Sequence, residues 1–103
     1  MKKKVIYDRL AIQEFVALSQ EVQDDFESYV LMLEEHGRLA FPDARKVAEN
    51  LFEIRIKQDG AYRGFYAYMK DDLIIMLHFF QKKTQKTPQR NILTAQKRAK
   101  NYV

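Results

Sequence analysis

A tract of basic side chains in the last third of the chain is the feature best suited to chemistry on a polyanion. It reads FFQKKTQKTPQRN over residues 79–91 and contains Lys82, Lys83, Lys86 and Arg90 with no acidic residue among them. Ammonium and guanidinium groups bind phosphate oxygens, and an aromatic ring beside them offers a stacking surface to an unpaired base. The tract therefore predicts contact with nucleic acid, in preference to the alternative of a solvated loop.

The charge of the chain is divided unevenly between its two halves. Residues 1–50 contain seven Lys/Arg and ten Asp/Glu, a net charge of −3, whereas residues 51–103 contain eleven and four, a net charge of +7. The C-terminal half is therefore the candidate surface for a polyanion. The chain has no cysteine and only two histidines, a composition that excludes disulfides and a structural zinc site. We expect neither a metal nor a cofactor.

Length and hydropathy limit the class of protein. The 103 residues, 47% of them hydrophobic, suffice for a modest core, and we expect residues 1–103 to form a single domain. The basic N-terminus lacks the apolar run of a signal peptide, and no segment has the length needed to span a bilayer. These features predict a cytoplasmic protein without membrane contact.

A strand and two helices are predicted for the N-terminal half. The strand runs from Lys4 to Tyr7, Asp8 caps the first helix, Ser19 starts the second, and Gly37 ends it. We interpret residues 38–50 as a connector in which Asp43 caps one short turn. Apolar residues at helical spacing give each helix one apolar side: Ile12, Phe15 and Val16 in the first helix, and Val22, Phe26, Tyr29, Val30 and Leu33 in the second. Together they predict a helical hairpin.

Three strands and a helix are predicted for the C-terminal half. Apolar and polar residues alternate from Leu51 to Lys57, which predicts a strand with one apolar and one polar face. Further strands are expected over residues 61–69 and 73–80, the last of them central in the sheet. Thr87 as cap and Pro88 in the first turn predict the final helix. Its apolar side contains Ile92, Ala95, Ala99 and Tyr102, with Arg90 and Lys97 opposite.

Two arginines on neighbouring strands are the second candidate for phosphate binding. A three-residue turn at Gln58-Asp59-Gly60 places Arg55 directly opposite Arg63, whereas a two-residue turn sends them to opposite faces, and both alternatives are open. Facing cations are destabilising unless a carboxylate such as Glu53 or a bound phosphate offsets them. A turn at Asp71-Asp72 would further set Arg63 opposite Phe80 and Phe65 opposite His78. Such a face, which also includes Lys82, is suited to grip RNA.

Three blocks of the C-terminal half occur in an order and at a spacing that a known family shares. The blocks are Leu51-Phe52-Glu53-Ile54-Arg55, then Tyr62-Arg63, then Phe80-Gln81-Lys82-Lys83-Thr84-Gln85-Lys86-Thr87-Pro88, followed by Ala95 and Arg98. With them the chain resembles the HigB-like branch of the RelE/ParE toxin superfamily over roughly its whole length. Asn50 stands where that family usually has glycine, and asparagine tolerates the left-handed conformation well.

The resemblance implies a fold, an activity and partners. The fold is RelE-like α+β, in the order β-α-α-β-β-β-α, with a small and mostly antiparallel sheet. The activity is that of a type II toxin which cleaves mRNA in a translating ribosome without a metal. In that chemistry the ribose 2′-hydroxyl attacks the adjacent phosphate, leaving a 2′,3′-cyclic phosphate and a 5′-hydroxyl. The implied partners are a helix-turn-helix antitoxin of the HigA type, mRNA and the ribosome.

The resemblance also implies site residues. Cleavage needs a proton acceptor, cations beside the phosphate and a donor for the departing oxygen. We expect Arg55 and Arg63 to clamp the phosphate, while the proton-transfer group is open among a lysine, His78 and Glu53. His78 is better interpreted as a packed histidine. The catalytic set is Arg55, Arg63, Lys82, Lys83 and Thr84, and the RNA-binding set beside it is Lys57, Phe80, Lys86 and Arg90.

Two other functional classes are open. The ParE branch has the same architecture but inhibits DNA gyrase through protein contact, and the Lys82-Lys83-Thr84 segment argues against it because this segment resembles the HigB-like branch. A nucleic-acid-binding remnant that has lost cleavage is the second alternative. The presence of both arginines and of the Lys-Lys-Thr segment weighs against that loss.

Overall fold

Five strands form one sheet in the computed structural model of the chain, which describes residues 2–56, 61–83 and 86–103. Their spatial order is β1-β5-β4-β3-β2, and every neighbouring pair is antiparallel except β1 and β5, which are parallel. The α+β class and the mostly antiparallel sheet are confirmed. The strands are β1 (Lys4–Tyr7), β2 (Ala44–Ala48), β3 (Leu51–Ile56), β4 (Tyr62–Met69) and β5 (Leu73–Gln81).

Three helices of the described residues cover the sheet: α1 (Arg9–Val16), α2 (Gln20–His36) and α3 (Gln89–Ala99), the last continued by a 3-10 turn at Lys100–Tyr102. The caps predicted at Asp8 and Ser19 are confirmed, because the Asp8 carboxylate accepts from the first turn of α1 and the Ser19 hydroxyl from that of α2. Gly37 ends α2 with a φ of 78°. Asn50 has a φ of 48°, in the left-handed region expected for it.

The interpretation of residues 38–50 as a connector was wrong, because it missed β2. Ala44 pairs with Ile54 and Arg45 with Glu53, which makes β2 an edge strand of the sheet. Arg45 and Lys46 are exposed, so the segment lacks the apolar alternation by which strands are recognised. Charged residues are a common feature of edge strands, which need protection against pairing with other chains.

The buried side of α1 also differs from the prediction. Ala11 and Phe15 are buried, whereas Ile12 is 46% and Val16 is 64% exposed. Both pairs are spaced four residues apart, so helical periodicity alone does not choose between them. Packing decides the orientation, because the Phe15 ring meets the Phe79 ring of β5 at a centroid distance of 5.2 Å.

Both faces of the sheet are covered. Helices α1 and α2 pack on one face around Phe26 and Phe79, and α3 packs on the other around Phe65 and Ile92. The prediction of a polar face on β3 was therefore wrong, because α3 buries that face. Glu53 is fully buried there instead of facing solvent.

An ion pair attaches α3 to the part of β5 with which β1 does not pair. Strand β1 pairs with β5 only as far as Met76. On that side, the backbone groups of the next β5 residues form hydrogen bonds with side chains instead. Arg98 donates to the Leu77 carbonyl at 2.9 Å, and Glu14 accepts from the Phe79 N–H at 3.1 Å. Arg98 and Glu14 also form a two-pronged pair, with both N···O distances at 2.9 Å. His78 lies between them, with Nδ1 3.0 Å from the Glu14 carboxylate.

The acid stability of the fold is expected to depend on Glu14. Burial raises the pKa of Glu14, but hydrogen bonds from His78, Arg98 and the Phe79 N–H outweigh it and lower the pKa from 4.5 to about 2. The ionised carboxylate therefore stabilises the fold above the unfolded-state value, and this stabilisation is lost as the pH falls from 4.5 toward 2. The displacement corresponds to roughly 3 kcal/mol.

Glu14→Gln is accordingly expected to lower the free energy of unfolding by up to roughly 3 kcal/mol at neutral pH, and by much less near the folded-state pKa. Urea unfolding across this pH range measures the difference between the two proteins. Glu35→Gln is the matched control, because Glu35 is exposed and its nearest cation lies 3.8 Å away. An equal deficit for Glu14→Gln at all pH values would contradict the prediction.

Candidate functional site

Strand pairing brings the two candidate arginines together. Arg55 on β3 lies directly opposite Arg63 on β4, which is the register of the three-residue turn and excludes the two-residue alternative. The turn itself, Gln58-Asp59-Gly60, lies outside the described residues. Arg63 is opposite Phe80 and Phe65 opposite His78, as predicted.

The buried carboxylate of Glu53 lies among these cations. Its Oε1 is 3.2 Å from Arg45 Nε and 3.5 Å from Arg63 Nε, and its Oε2 accepts from the Thr87 hydroxyl at 2.6 Å. The charges of Glu53, Arg45, Arg55 and Arg63 all act on the ammonium group of Lys82. We call Arg45, Arg55, Arg63 and Lys82 the basic cluster. Among the described residues whose charges act on Lys82, Glu53 is the one carboxylate beside these four cations, so positive charge is left for a ligand.

Arg63 has the most constrained position in the basic cluster. The residue is only 4% exposed, and its Nη1 donates to the Tyr62 carbonyl at 3.0 Å. Its buried Nε has no hydrogen-bond acceptor in the part of the chain that the structure describes, since Glu53 lies beyond good hydrogen-bond distance. A buried donor without an acceptor is costly, and a bound anion would relieve the excess charge around it.

Crowded cations and burial change the acidity of two members of the basic cluster. Burial lowers the pKa of Lys82 below its ordinary 10.5, and the positive charge of Arg63 lowers it further, while Glu53 acts in the opposite sense. The pKa of Arg63 is likewise lowered by burial, against the opposing effect of Glu53. Lys82 is 8% exposed and its backbone N–H donates to the Ala61 carbonyl at 2.9 Å. Lys82 is thus anchored through its backbone, and its ammonium group releases a proton more readily than that of a free lysine.

The remaining predicted residues are more widely spread. Lys83 is exposed beside Lys82, and Arg90 is exposed in the first turn of α3. Lys86 lines an open polar cleft of about 370 Å³ together with Arg45. Lys57 and Thr84 lie outside the described residues.

Phe80 and His78, two aromatic residues beside the basic cluster, pack against each other. The half-buried Phe80 ring stacks on the His78 ring at a centroid distance of 5.1 Å, with 21° between their planes. The second ring nitrogen of His78 lies 2.8 Å from Asn91 Nδ2. With Glu14 on one nitrogen and Asn91 on the other, His78 has the environment of the packed histidine that the sequence favoured.

Thr87 does not cap α3, contrary to the prediction. The helix begins at Gln89, its N-cap is Pro88, and no side chain bonds its first turn. The Thr87 hydroxyl donates to the buried Glu53 and lies 3.3 Å from Arg45 Nη2. The Thr87 hydroxyl bonds Glu53 because a buried carboxylate is a strong, charged acceptor. The backbone N–H groups of the first turn, which are accessible to solvent, offer a weaker bond.

Sequence reasoning missed Arg45 and Thr87 as site residues. Arg45 was missed because β2 was not recognised, and no local pattern marks it as a partner of Glu53. Thr87 was missed because its position before a proline was interpreted only as the start of a helix. That start is correct, but the same signal does not indicate which group the Thr87 hydroxyl bonds. The available signal for both was Glu53 itself, because a carboxylate in a strand needs partners once that strand is buried.

Neither metal ligation nor membrane insertion is indicated by the described residues. No three of their His, Asp and Glu side chains are grouped so that they could hold a metal ion. No helix among them combines the length and the apolar character required to cross a bilayer. What the basic cluster offers chemically is a set of fixed hydrogen-bond donors for a phosphate.

Comparisons with known proteins agree on family and fold. Residues 13–100 match the model of the family described as phage derived protein Gp49-like (DUF891). A mutant RelE toxin of E. coli in the free state is similar in structure, with a TM-score of 0.74 and 15% identity over 95% of this chain and 98% of the other. No curated protein matches in sequence.

Two toxin–antitoxin complexes contain chains of similar structure. For the E. coli RelBE complex the TM-score is 0.66, with 14% identity over 80% of this chain and 99% of the other. For the RelE–RelB complex of the archaeon Pyrococcus horikoshii OT3 the TM-score is 0.60, with 19% identity over 84% and 100%. At these identities the likeness establishes the fold, and the expected RelE-like architecture is confirmed.

Removal of the Thr87 hydroxyl is expected to destabilise the protein through Glu53. Thr87→Val keeps the side-chain volume but withdraws a hydrogen bond from a buried charged acceptor, which costs roughly 1.5–3 kcal/mol. Chemical denaturation measures the loss. Thr94→Val is the matched control, because the Thr94 hydroxyl bonds only the carbonyl one turn earlier in α3, and its removal is expected to cost less than about 0.5 kcal/mol. Equal losses in the two variants would refute a special role for Thr87.

Proposed function

The chain belongs to the Gp49-like family of phage-derived proteins, and on this basis we propose that it is the toxin of a type II toxin–antitoxin pair that cleaves mRNA in translating ribosomes. The observation that carries the proposal is the basic cluster, in which the buried Arg63 lies opposite Arg55 and beside Lys82 with a single carboxylate among them. Within the superfamily we assign the protein to the HigB-like branch, on the motif from Phe80 to Pro88. It acts in the cytoplasm, where ribosomes translate.

In the proposed reaction the ribose 2′-oxygen attacks the adjacent phosphorus and the bond from phosphorus to the 5′-oxygen breaks. The 2′-hydroxyl proton leaves to a base, and the departing 5′-oxygen gains a proton. Negative charge builds on the phosphate oxygens in between, and donors already fixed in place stabilise it without reorganisation. The products are a 2′,3′-cyclic phosphate and a 5′-hydroxyl.

The clamp consists of Arg63 and Arg55. The guanidinium of Arg63 is fixed by Glu53 and by the Tyr62 carbonyl, so little entropy is lost when it meets a phosphate. Arg55 is half-buried on the facing strand and completes a two-sided grip. Planar guanidinium groups suit this role because they present paired donors to phosphate oxygens.

Lys82 is the proposed proton-transfer group. Its lowered pKa makes the ammonium a better acid, and its backbone bond to Ala61 holds it at the end of β5 beside Arg63. Glu53 is unsuited to that task because its two oxygens are already engaged by Arg45, Arg63 and Thr87. We propose that Glu53 positions the cations instead.

The RNA on either side of the scissile phosphate contacts a wider surface. We propose that Lys83 and Thr84 act together with the clamp, and that Lys57, Phe80, Lys86 and Arg90 bind the RNA chain on either side. To these we add Arg45, which belongs to the basic cluster and also lines the polar cleft beside Lys86. This cleft leads from the clamp toward the start of α3 and suits the neighbouring phosphate of a single strand.

Substitution of Arg63 tests the proposed activity. After induced expression, the 5′ ends of cellular mRNAs are mapped for the wild type, Arg63→Lys and Arg63→Ala. The wild type is expected to cut translated messages at in-frame positions, and Arg63→Ala to reduce cleavage at least about a hundredfold through loss of charge stabilisation. Arg63→Lys keeps a charge beside Glu53 but loses the paired donors, so an intermediate rate is expected.

The control for this experiment is Arg9→Ala, since Arg9 is exposed at the start of α1. Melting temperatures of the purified variants separate unfolding from loss of chemistry. Growth arrest with intact mRNA would contradict the proposal and favour inhibition of DNA gyrase instead. Normal growth with intact mRNA would leave a nucleic-acid-binding remnant without catalysis.

An antitoxin is the proposed protein partner, and we expect it to have a helix-turn-helix domain of the HigA type. The uncovered positive charge of the basic cluster favours a partner segment with acidic side chains. Co-expression with the neighbouring gene, followed by purification through a tag on the toxin, is expected to yield a complex whose formation suppresses cleavage. Recovery of the toxin alone from such cells would argue against this partner.

A further inference from the structure

A second pocket borders the basic cluster and has a different chemical character. It has a volume of about 480 Å³, and Arg55 lies in its wall. The opposite walls carry Asp25, Ser28 and Tyr29 of α2 and Asp43, which precedes β2. None of these four residues contributes to the phosphate clamp. The pocket is therefore adjacent to the clamp but separately built.

The walls of the pocket are tied together by hydrogen bonds. The Asp43 carbonyl accepts from the Arg55 N–H at 3.2 Å, which joins the pocket to β3. The Tyr29 side chain lies beside the Asp43 carboxylate, and within α2 the Ser28 hydroxyl donates to the Asp25 carbonyl at 2.7 Å. Burial first, and then the charges of Asp43 and Asp25, raise the pKa of Tyr29, so its hydroxyl stays neutral.

The chemistry of these walls suits a nucleobase and not a phosphate. Two carboxylates repel a phosphate, yet they are strong acceptors for N–H groups. A tyrosine ring and the side chain of Ile56 add apolar surface for a flat ring system. The volume exceeds that of one base, and Arg55 at the border keeps the attached phosphate at the clamp.

We propose that this pocket binds the base next to the scissile phosphate and selects guanine through the Asp43 carboxylate. Guanine presents two neighbouring donors, N1–H and the N2 amino group, which match the two oxygens of a carboxylate. Adenine and cytosine place an unprotonated ring nitrogen beside their amino group, and that nitrogen would face the carboxylate with no proton between them. Uracil offers one N–H between two carbonyl groups. The inference rests on the proposed RNA cleavage.

The test is the base composition around the cleavage sites in the mapped 5′ ends. The wild type is expected to favour guanine over other bases by about tenfold at one fixed position beside the cut, the selectivity of one hydrogen bond to a charged acceptor. Asp43→Asn is expected to reduce this preference to less than about twofold while cleavage continues. Any residual preference should move to adenine, because a side-chain amide pairs with adenine.

The matched control is Asp24→Asn, because Asp24 is an exposed α2 residue whose carboxylate bonds Gln20 outside the pocket. It is expected to keep the guanine preference. Cleavage without a base preference in the wild type, or a guanine preference that persists in Asp43→Asn, would overturn this inference and leave the nuclease intact. Absence of cleavage in the wild type would overturn the proposed function and the inference with it. If Asp43→Asn does not fold, Asp43→Ser removes the same carboxylate with a smaller polar side chain, and the same loss of preference is expected.

Discussion

Burial of the Glu53 carboxylate is the constraint on which the rest of the site depends. A buried charge is tolerated only with cations and donors close to it, and here they come from three different segments of the chain. Arg45 comes from β2, Arg63 from β4 and Thr87 from the segment before α3. One carboxylate thereby fixes the edge strand, the central hairpin and the start of the last helix relative to one another.

The Glu53 carboxylate does not neutralise all of the positive charge around it. One negative charge cannot balance Arg45, Arg55, Arg63 and Lys82, and the buried Arg63 Nε lies 3.5 Å from its counter-ion without a hydrogen bond. Such an arrangement costs stability in the free protein, and functional sites are where proteins tolerate that cost. In the proposed function the buried Arg63, bonded to the Tyr62 carbonyl, would meet a phosphate with little rearrangement.

Local signals in the sequence predicted much of this structure. Capping by Asp8 and Ser19 and the end of α2 at Gly37 each depend on a few neighbouring residues. The pairing of Arg63 with Phe80 also depends on a register shift between Phe65 and Tyr66, which no local signal indicated. The features that were not predicted depend on contacts between distant segments. Strand β2 exists because β3 offers it a partner, and Thr87 turns from its helix because Glu53 is buried within reach. Strand register is enough to bring Arg55 and Arg63 together. The position of Arg45 beside Glu53 follows only from the tertiary structure.

A comparison of the fully buried Glu53 with Glu14, whose side chain is 27% exposed, shows how differently two carboxylates of this fold are neutralised. Both attach α3 to the sheet, Glu53 through Thr87 before its first turn and Glu14 through Arg98 in its last turn. Glu14 faces one guanidinium in a two-pronged pair and takes the Phe79 N–H as well, so charge and hydrogen bonds are balanced within the protein. Glu53 faces an excess of cations, one of which has an unused buried donor. The two clusters therefore differ in burial and also in the local sum of charges of the described residues, and an unbalanced cluster gains more free energy from an added anion.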